Sequence, residues 1–155
     1  MAYLREIEVK YKIRKIESAI IDHRVTGSHV IAALFHDLQN ETKEKFLTVN
    51  LDGKNKILCF EVVAIGSIAS IRLRPMEVFR TSILVNAAGA VVVHNHPSGE
   101  VQPSQADEAF TQRLVYVADQ LGLRLYDHVI IGVGGAYYSF ADARHIVHEY
   151  STEEP

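Results

Sequence analysis

The chain has 155 residues, a length that supports one domain with a single hydrophobic core. Apolar residues make up 48% of it, which excludes an intrinsically disordered chain, and the formal charge of −3 argues against a nucleic-acid-binding protein. The single cysteine, Cys59, excludes an internal disulfide, and no apolar run approaches the length that spans a membrane. Because the N-terminus also lacks a signal-peptide pattern, we expect a cytoplasmic protein.

The first third of the chain is predicted to supply an edge strand, a short helix and a hairpin. Residues Leu4–Ile13 alternate apolar and polar side chains, which predicts a half-buried strand at a sheet edge. Ser28 is predicted to cap a helix that ends near Leu38. Asp52-Gly53 lies between two β-prone runs and predicts a hairpin, whose second strand either continues through Glu61–Ile65 or is followed there by another strand.

The rest of the chain mixes helices and strands without strict β-α-β alternation. The predicted elements are a strand at Ser67–Ile71, a helix from Pro75 to about Ala87, a strand at Ala90–Val93, a long helix from Ser104 to the stop at Gly122, a closing pair of strands at His128–Gly132 and Tyr137–Phe140, and a short helix over Ser139–His148. This order predicts the α/β class, a sandwich in which helices flank a mixed sheet.

The stretch that carries chemistry joins the Ala90–Val93 strand to the long helix. Residues two apart on a strand project to the same side, so His94 and His96 are expected to present two imidazoles to one point. Asp107 lies in the first turn of the helix that begins at Ser104, and its carboxylate can reach back to them. Two imidazoles and one carboxylate, with a fourth position left for water, are the ligand set of a catalytic zinc site.

Each of these residues also has an ordinary structural interpretation. Either histidine alone could be a solvated loop residue, Asp107 a helix-start carboxylate and Ser104 a plain N-cap. Their occurrence together at one spacing favours a site that binds one Zn²⁺, although iron or manganese would suit the same ligands. Asn95 is predicted to make a scaffold hydrogen bond, and His128 beside Asp127 has either a structural role or a role in supporting a ligand.

The motif resembles a known family. His94-x-His96, seven residues, Ser104, two residues and Asp107 resemble the JAMM signature of JAB1/MPN metalloproteases. The run HNHPSG followed by PSQAD, with Asp127-His128-Val-Ile-Ile-Gly and Tyr137-Tyr-Ser-Phe, is similar to the RadC-like branch. The resemblance covers about Glu44 to Phe140.

This resemblance implies one RadC-like JAB1/MPN domain over residues 1–155, with a cytidine-deaminase-like sandwich. Its N-terminal strand and short helix would occupy residues 1–43, and its metal-binding core residues 44–140. The chain is expected to be similar to short members of the family that lack the helix-hairpin-helix region of larger members. The family label also refers to DNA repair, which the acidic charge balance does not support.

The resemblance further implies a zinc-dependent metallohydrolase of the peptidase or isopeptidase type, in which zinc-activated water attacks the scissile carbonyl. Glu44 is the preferred general acid/base, with Glu61 and Glu77 as the other candidates, and Ser104 would hydrogen-bond the oxyanion. The expected partner is a protein or peptide substrate, not nucleic acid or a membrane, and a homodimer through the N-terminal edge strand is an open alternative. A non-catalytic MPN interaction module and a DNA-repair-associated accessory protein are the competing interpretations.

Overall fold

The computed structural model describes residues 1–13, 15 and 24–146, whose strands form one mixed sheet with helices against both faces. In chain order the elements are α1 (Ser28–Leu34), a 3-10 helix (His36–Asn40), β1 (Lys45–Leu51), β2 (Ile57–Ile65), α2 (Pro75–Leu84), β3 (Gly89–Asn95), α3 (Gln105–Gln120), β4 (Arg124–Ile131) and β5 (Tyr137–Ser139). The strand order is β2-β1-β3-β4-β5, in which β3 and β4 run parallel and the other neighbours antiparallel. The predicted α/β class with a mixed sheet is confirmed.

Two hydrophobic cores lie on opposite faces of the sheet, because alternate residues of a strand point to opposite faces. Val91 and Val93 of β3 pack against α1 on one face. Ala90 and Val92 pack against α2 and α3 on the other face. All seven residues of β3 are buried, which explains why this strand is apolar on both sides until it reaches His94.

β1 and β2 form the hairpin predicted at Asp52-Gly53. The Asp52 carboxylate accepts hydrogen bonds from the backbone N–H groups of Lys54 (2.8 Å) and Lys56 (2.9 Å), which close the turn. β2 is one strand that extends to Ile65, so the continuous alternative for this region is confirmed.

Both long helices begin where the sequence indicated. Pro75 is the first residue of α2, where its missing N–H costs no helical hydrogen bond. Ser104 caps α3: its Oγ accepts from the N–H of Asp107 (3.0 Å), and Asp107 Oδ2 accepts from the N–H of Ser104 (2.9 Å). These reciprocal bonds fix the aspartate at the start of α3. No helix in the described part of the chain is long and apolar enough to cross a membrane.

The predicted N-terminal strand is wrong. Residues Leu4–Ile13 have no regular secondary structure, and the side chains of Ile7 and Ile13 are 88% and 92% exposed. Alternation produces a strand only where a neighbouring strand supplies hydrogen bonds, and within the described ranges no strand pairs with this segment.

The predicted helix from Ser28 to Leu38 is divided in two. α1 ends at Leu34, and the 3-10 helix follows it. Ser28 is the first residue of α1 rather than its cap, because its hydroxyl donates to the carboxylate of Asp142 instead of accepting from the helix.

Two other predicted elements are absent from the described residues. Ser67–Ile71 forms turns rather than a strand, since the carbonyl of Ser67 accepts from the N–H groups of Ser70 and Ile71. Residues 140–144 form turns rather than a helix. The remainder of the predicted C-terminal helix, residues 147–148, lies outside the described residues.

Candidate metal centre

The two predicted histidines and the aspartate meet at the end of β3. His94 lies in β3, His96 follows that strand at once, and Asp107 lies in the first turn of α3. His94 Nε2 is 3.0 Å from His96 Nε2 and 3.3 Å from Asp107 Oδ1, and His96 Nε2 is 3.1 Å from Asp107 Oδ2. One ligand atom from each residue lies within 4.8 Å of the others, so the fold brings the three predicted ligands together.

The hydrogen bond made by His96 Nδ1 determines that a neutral His96 presents the lone pair of its Nε2 atom to the Asp107 carboxylate. Its Nδ1 lies 2.8 Å from the carbonyl oxygen of Glu100, and Nδ1 must carry a hydrogen because a carbonyl oxygen only accepts. In a neutral imidazole the other nitrogen, Nε2, then carries no hydrogen. Two acceptors 3.1 Å apart repel each other unless a proton or a metal ion lies between them. The geometry therefore calls for a positive charge beside Asp107.

The electrostatics of the cluster agree with this requirement. Burial by itself would raise the pKa of Asp107, but the adjacent imidazoles of His94 and His96 outweigh burial and hold that pKa well below its usual range. The Asp107 carboxylate in turn raises the pKa of His96 against the opposing effect of burial. Asp107 is thus a carboxylate at neutral pH, ready to stabilise a cation between the side chains.

The separations of the ligand atoms fit a tetrahedral metal ion. Zinc–nitrogen and zinc–oxygen bonds of about 2.0–2.1 Å in a tetrahedron place ligand atoms about 3.3 Å apart. The two Nε2 atoms are 3.0 Å apart, and Asp107 presents Oδ1 to His94 at 3.3 Å and Oδ2 to His96 at 3.1 Å, so either oxygen could be the third ligand. Three protein ligands leave a fourth position, which is typical of catalytic rather than structural zinc sites. The same donors would accept other divalent ions, so the residues fit a metal without fixing which one.

Asn95 holds the chain on either side of Glu44. Its Oδ1 accepts a hydrogen bond from the N–H of Lys45 (2.7 Å), and its Nδ2 donates to the carbonyl of Lys43 (3.1 Å). The predicted scaffold role of Asn95 is confirmed. The consequence is that the end of β3 and the residue before β1 are fixed relative to each other, next to the ligand cluster.

The three candidate acid/base glutamates differ in what already binds them. Glu61 accepts a 2.8 Å hydrogen bond from an arginine of α2, and Glu77 accepts a 2.9 Å hydrogen bond from the N–H that precedes α2. Among the described residues no hydrogen bond or ion pair engages the carboxylate of Glu44. Its charge adds to the larger effect of Asp107 in raising the pKa of His96. Glu44 is therefore the candidate whose carboxylate is not committed elsewhere.

Ser104 lies beside the cluster on the surface. Its Oγ uses one lone pair to cap α3 by accepting from Asp107, and a hydroxyl retains its hydrogen when it accepts. Within the described part of the chain that hydrogen has no acceptor. The side chain can therefore cap the helix and donate to a bound substrate at once, and its role towards an oxyanion stays a prediction.

The structure places His128 against His94 and adds a residue that the sequence did not indicate. His128 is fully buried, and its Nε2 lies 2.7 Å from His94 Nδ1. Thr111 Oγ1 lies 2.6 Å from the other ring nitrogen of His128, and the sequence signal for it was only its position one turn after Asp107 in α3. Asp127 instead accepts from Ser139 Oγ and from backbone N–H groups, so it stabilises the turn after β5.

A mixed α/β sandwich with two histidines and an aspartate clustered at the end of its central strand is the arrangement of a JAB/MPN-type domain. The chain belongs to the RadC-like JAB domain family, whose family model matches residues 16–145.

Individual relatives agree with this membership. A UPF0758 protein of Geotalea uraniireducens is 38% identical over 137 residues, which cover 88% of this chain and 59% of the relative. A UPF0758 protein of Methanosarcina acetivorans is 43% identical over 113 residues, 73% of this chain and 49% of the relative. The UPF0758 protein YfjY of Escherichia coli K12 is 41% identical over 100 residues, 64% of this chain and 62% of the relative. The chain thus spans between about half and three-fifths of the length of these curated relatives.

Proposed function

We propose that the protein is a zinc-dependent hydrolase of peptide or isopeptide bonds, with His94, His96 and Asp107 as the zinc ligands. The observation that supports this most strongly is the geometry of His96, whose Nδ1 contacts the Glu100 carbonyl while its Nε2 faces the Asp107 carboxylate at 3.1 Å. A metal ion at this point removes the repulsion between the two acceptors and satisfies His94 Nε2 as well. Membership of the RadC-like JAB domain family supports the hydrolase assignment.

Residues of this chain would supply the general acid/base and the hydrogen-bond donor to the oxyanion. When bound, zinc supplies the Lewis acidity that lowers the pKa of water to about 7. Glu44 would take the proton from the attacking water and deliver it to the leaving amine, and its uncommitted carboxylate suits both steps. Ser104 would donate its hydroxyl hydrogen to the oxyanion of the tetrahedral intermediate, because it sits beside Asp107 with that hydrogen unused.

The first experiment measures metal content by elemental mass spectrometry. The wild-type protein should contain about one zinc per chain, and Asp107→Ala should lose it because a carboxylate ligand is removed. Asp37→Ala, which removes an exposed aspartate outside the cluster, is the matched control and should retain the metal. Absence of metal from the wild type, even after zinc addition and dialysis, would refute the zinc assignment and leave a protein-interaction module as the better explanation.

The second experiment tests hydrolysis on the metal-loaded protein. A peptide mixture that includes branched peptides joined through a lysine ε-amine is incubated with wild type, Glu44→Gln and Ser104→Ala, and the products are identified by mass spectrometry. Glu44→Gln should keep its zinc and lose cleavage, and Ser104→Ala should cleave about 10²–10³-fold more slowly. Unchanged cleavage by Glu44→Gln would remove that residue from the mechanism. Salt-dependent DNA binding without hydrolysis would instead favour an accessory role in DNA processing.

A further inference from the structure

A chain of short hydrogen bonds runs from one candidate ligand to the other through the core of the protein. His94 Nδ1 lies 2.7 Å from His128 Nε2, and His128 Nδ1 lies 2.6 Å from Thr111 Oγ1. Thr111 Oγ1 lies 2.7 Å from the backbone carbonyl oxygen of Asp107. We propose that His128 and Thr111 are positioning residues, which fix the tautomer of His94 and tie it to the helix turn that carries Asp107.

The direction of each hydrogen bond can be worked out from the last acceptor in the series, the backbone carbonyl of Asp107. A carbonyl oxygen only accepts, so the single hydroxyl hydrogen of Thr111 is directed at the Asp107 carbonyl. Thr111 Oγ1 must then accept from His128, whose Nδ1 therefore carries the hydrogen. With Nδ1 protonated, Nε2 of a neutral His128 can only accept, and the hydrogen between the two rings belongs to His94 Nδ1. His94 Nε2 is left with a lone pair that faces His96 and Asp107.

The surroundings of His128 keep its ring neutral and fixed. Phe140 stacks on the imidazole with ring centroids 4.8 Å apart and an interplanar angle of 9°, and Phe46 contacts it edge-on at 5.7 Å. The side chain is fully buried, and burial away from water disfavours the charged form of an imidazole. An imidazole confined between two aromatic rings has one orientation in which it can accept from His94.

The contact between Thr111 and the Asp107 carbonyl would not by itself indicate a function. A threonine inside a helix often bonds the carbonyl four residues earlier. What distinguishes Thr111 is that it is fully buried and that its second bond goes to a histidine, which in turn holds a ligand candidate. These hydrogen bonds therefore connect β3, β4 and α3 beside the metal site and tie His94 to the helix turn that carries Asp107.

The ligand role of His94 rests on the proposed function, whereas the tautomer of His94 can be measured without metal. The test therefore measures both zinc affinity and the tautomer. Zinc affinity is measured by competition with a chromophoric chelator for wild type, Thr111→Val and Thr111→Ser. Thr111→Val keeps the shape and removes the hydroxyl, and it should weaken zinc binding by about 10–100-fold. Thr111→Ser retains the hydroxyl and should bind zinc close to the wild-type affinity. Thr81→Val is the control, because it removes a hydroxyl of α2 that accepts a hydrogen bond from Asn50 of β1 instead.

A second readout is the nitrogen-15 chemical shifts of the His94 ring in the metal-free protein. The wild type should show hydrogen on Nδ1 and none on Nε2, and Thr111→Val should show a mixture of the two tautomers. Equal zinc affinity in wild type and Thr111→Val, or equal weakening by Thr111→Val and Thr111→Ser, would overturn the proposal. If the wild type binds no zinc, the proposed function fails. The comparison of the His94 tautomer in wild type and Thr111→Val then still tests whether His128 and Thr111 position His94.

Discussion

The side-chain amide of Asn95 is expected to stabilise the domain, because it adds two side-chain hydrogen bonds between the end of β3 and the residues around Glu44 to the backbone ladder that pairs β3 with β1. The side chain is fully buried, and its two hydrogen bonds to Lys43 and Lys45 measure 3.1 and 2.7 Å. Asn95→Ala removes both, and each buried hydrogen bond contributes about 1 kcal/mol. The Lys45 N–H is also left without its partner, which places the total loss at about 2–3 kcal/mol.

Urea unfolding of the metal-free protein measures this loss, with a chelator present so that metal binding does not add to the difference. At a slope of roughly 2 kcal/mol per molar urea, the unfolding midpoint should fall by about 1 M or more. Asn40→Ala, which truncates an exposed asparagine, is the control and should change the free energy of unfolding by less than about 0.5 kcal/mol.

Hydrogen exchange provides the local test of the same interaction. The Lys45 amide should lose its protection in Asn95→Ala, since its acceptor is gone, while amides in the middle of β3 should lose only the protection that the global destabilisation removes. A loss of stability no larger than that of Asn40→Ala, or an unchanged Lys45 amide, would refute the stabilising role of the Asn95 side chain.

Three further predictions concern other parts of the domain. Ser104→Ala should lower the free energy of unfolding by about 1 kcal/mol, because it removes the N-cap of α3. Burial raises the pKa of Asp127 from its ordinary value of 3.8 to about 6. The protonated Asp127 side chain therefore contributes its full stabilisation below about pH 4, and this contribution is lost as the pH rises through about 6. The free energy of unfolding should fall by up to about 3 kcal/mol relative to that of Asp127→Asn. Gly89→Ala should destabilise the protein severely, because the added Cβ would lie 2.3 Å from the carbonyl oxygen of Arg124 and 2.4 Å from the ring of Tyr126.

Each of these predictions has a matched comparison by urea unfolding. Ser104→Thr should recover most of the loss seen in Ser104→Ala, and equal losses would contradict the cap. The difference in stability between wild type and Asp127→Asn should change from pH 4 to pH 7, and a constant difference would show that the pKa of Asp127 is ordinary. Gly53→Ala is the control for Gly89→Ala, since nothing lies within 4 Å of its added Cβ.

The metal cluster could be predicted from the sequence because its geometry is local. His94 and His96 share a face through the two-residue repeat of one strand, and the capping pair of Ser104 and Asp107 fixes the third ligand at a helix start. The hairpin at Asp52-Gly53 is local in the same sense, because the Asp52 side chain closes its own turn.

The features that sequence reasoning missed or left open depend on neighbours in space. The alternation of Leu4–Ile13 is typical of a strand, but within the described residues no strand lies beside it. The role of His128 depends on the parallel pairing that places it opposite Val92 of β3, and no local pattern specifies that register. Thr111 carries no signal beyond its place in α3, because a helical threonine is common and only the position of His128 gives its hydroxyl a second partner.

The parallel pairing of β3 and β4 also bears on the order of events during synthesis. His94 and His128 are 34 residues apart, and Asn95 and Lys45 are 50 residues apart, so the site closes only when two long loops have closed. A nascent chain that has left the ribosome as far as Gly122 contains all three ligand side chains and the whole of α3, but it lacks β4 and the residue that orients His94. If the three side chains bind a metal as proposed, uptake with the folded geometry would follow the emergence of β4, and a chain truncated before that strand would carry the motif without the site.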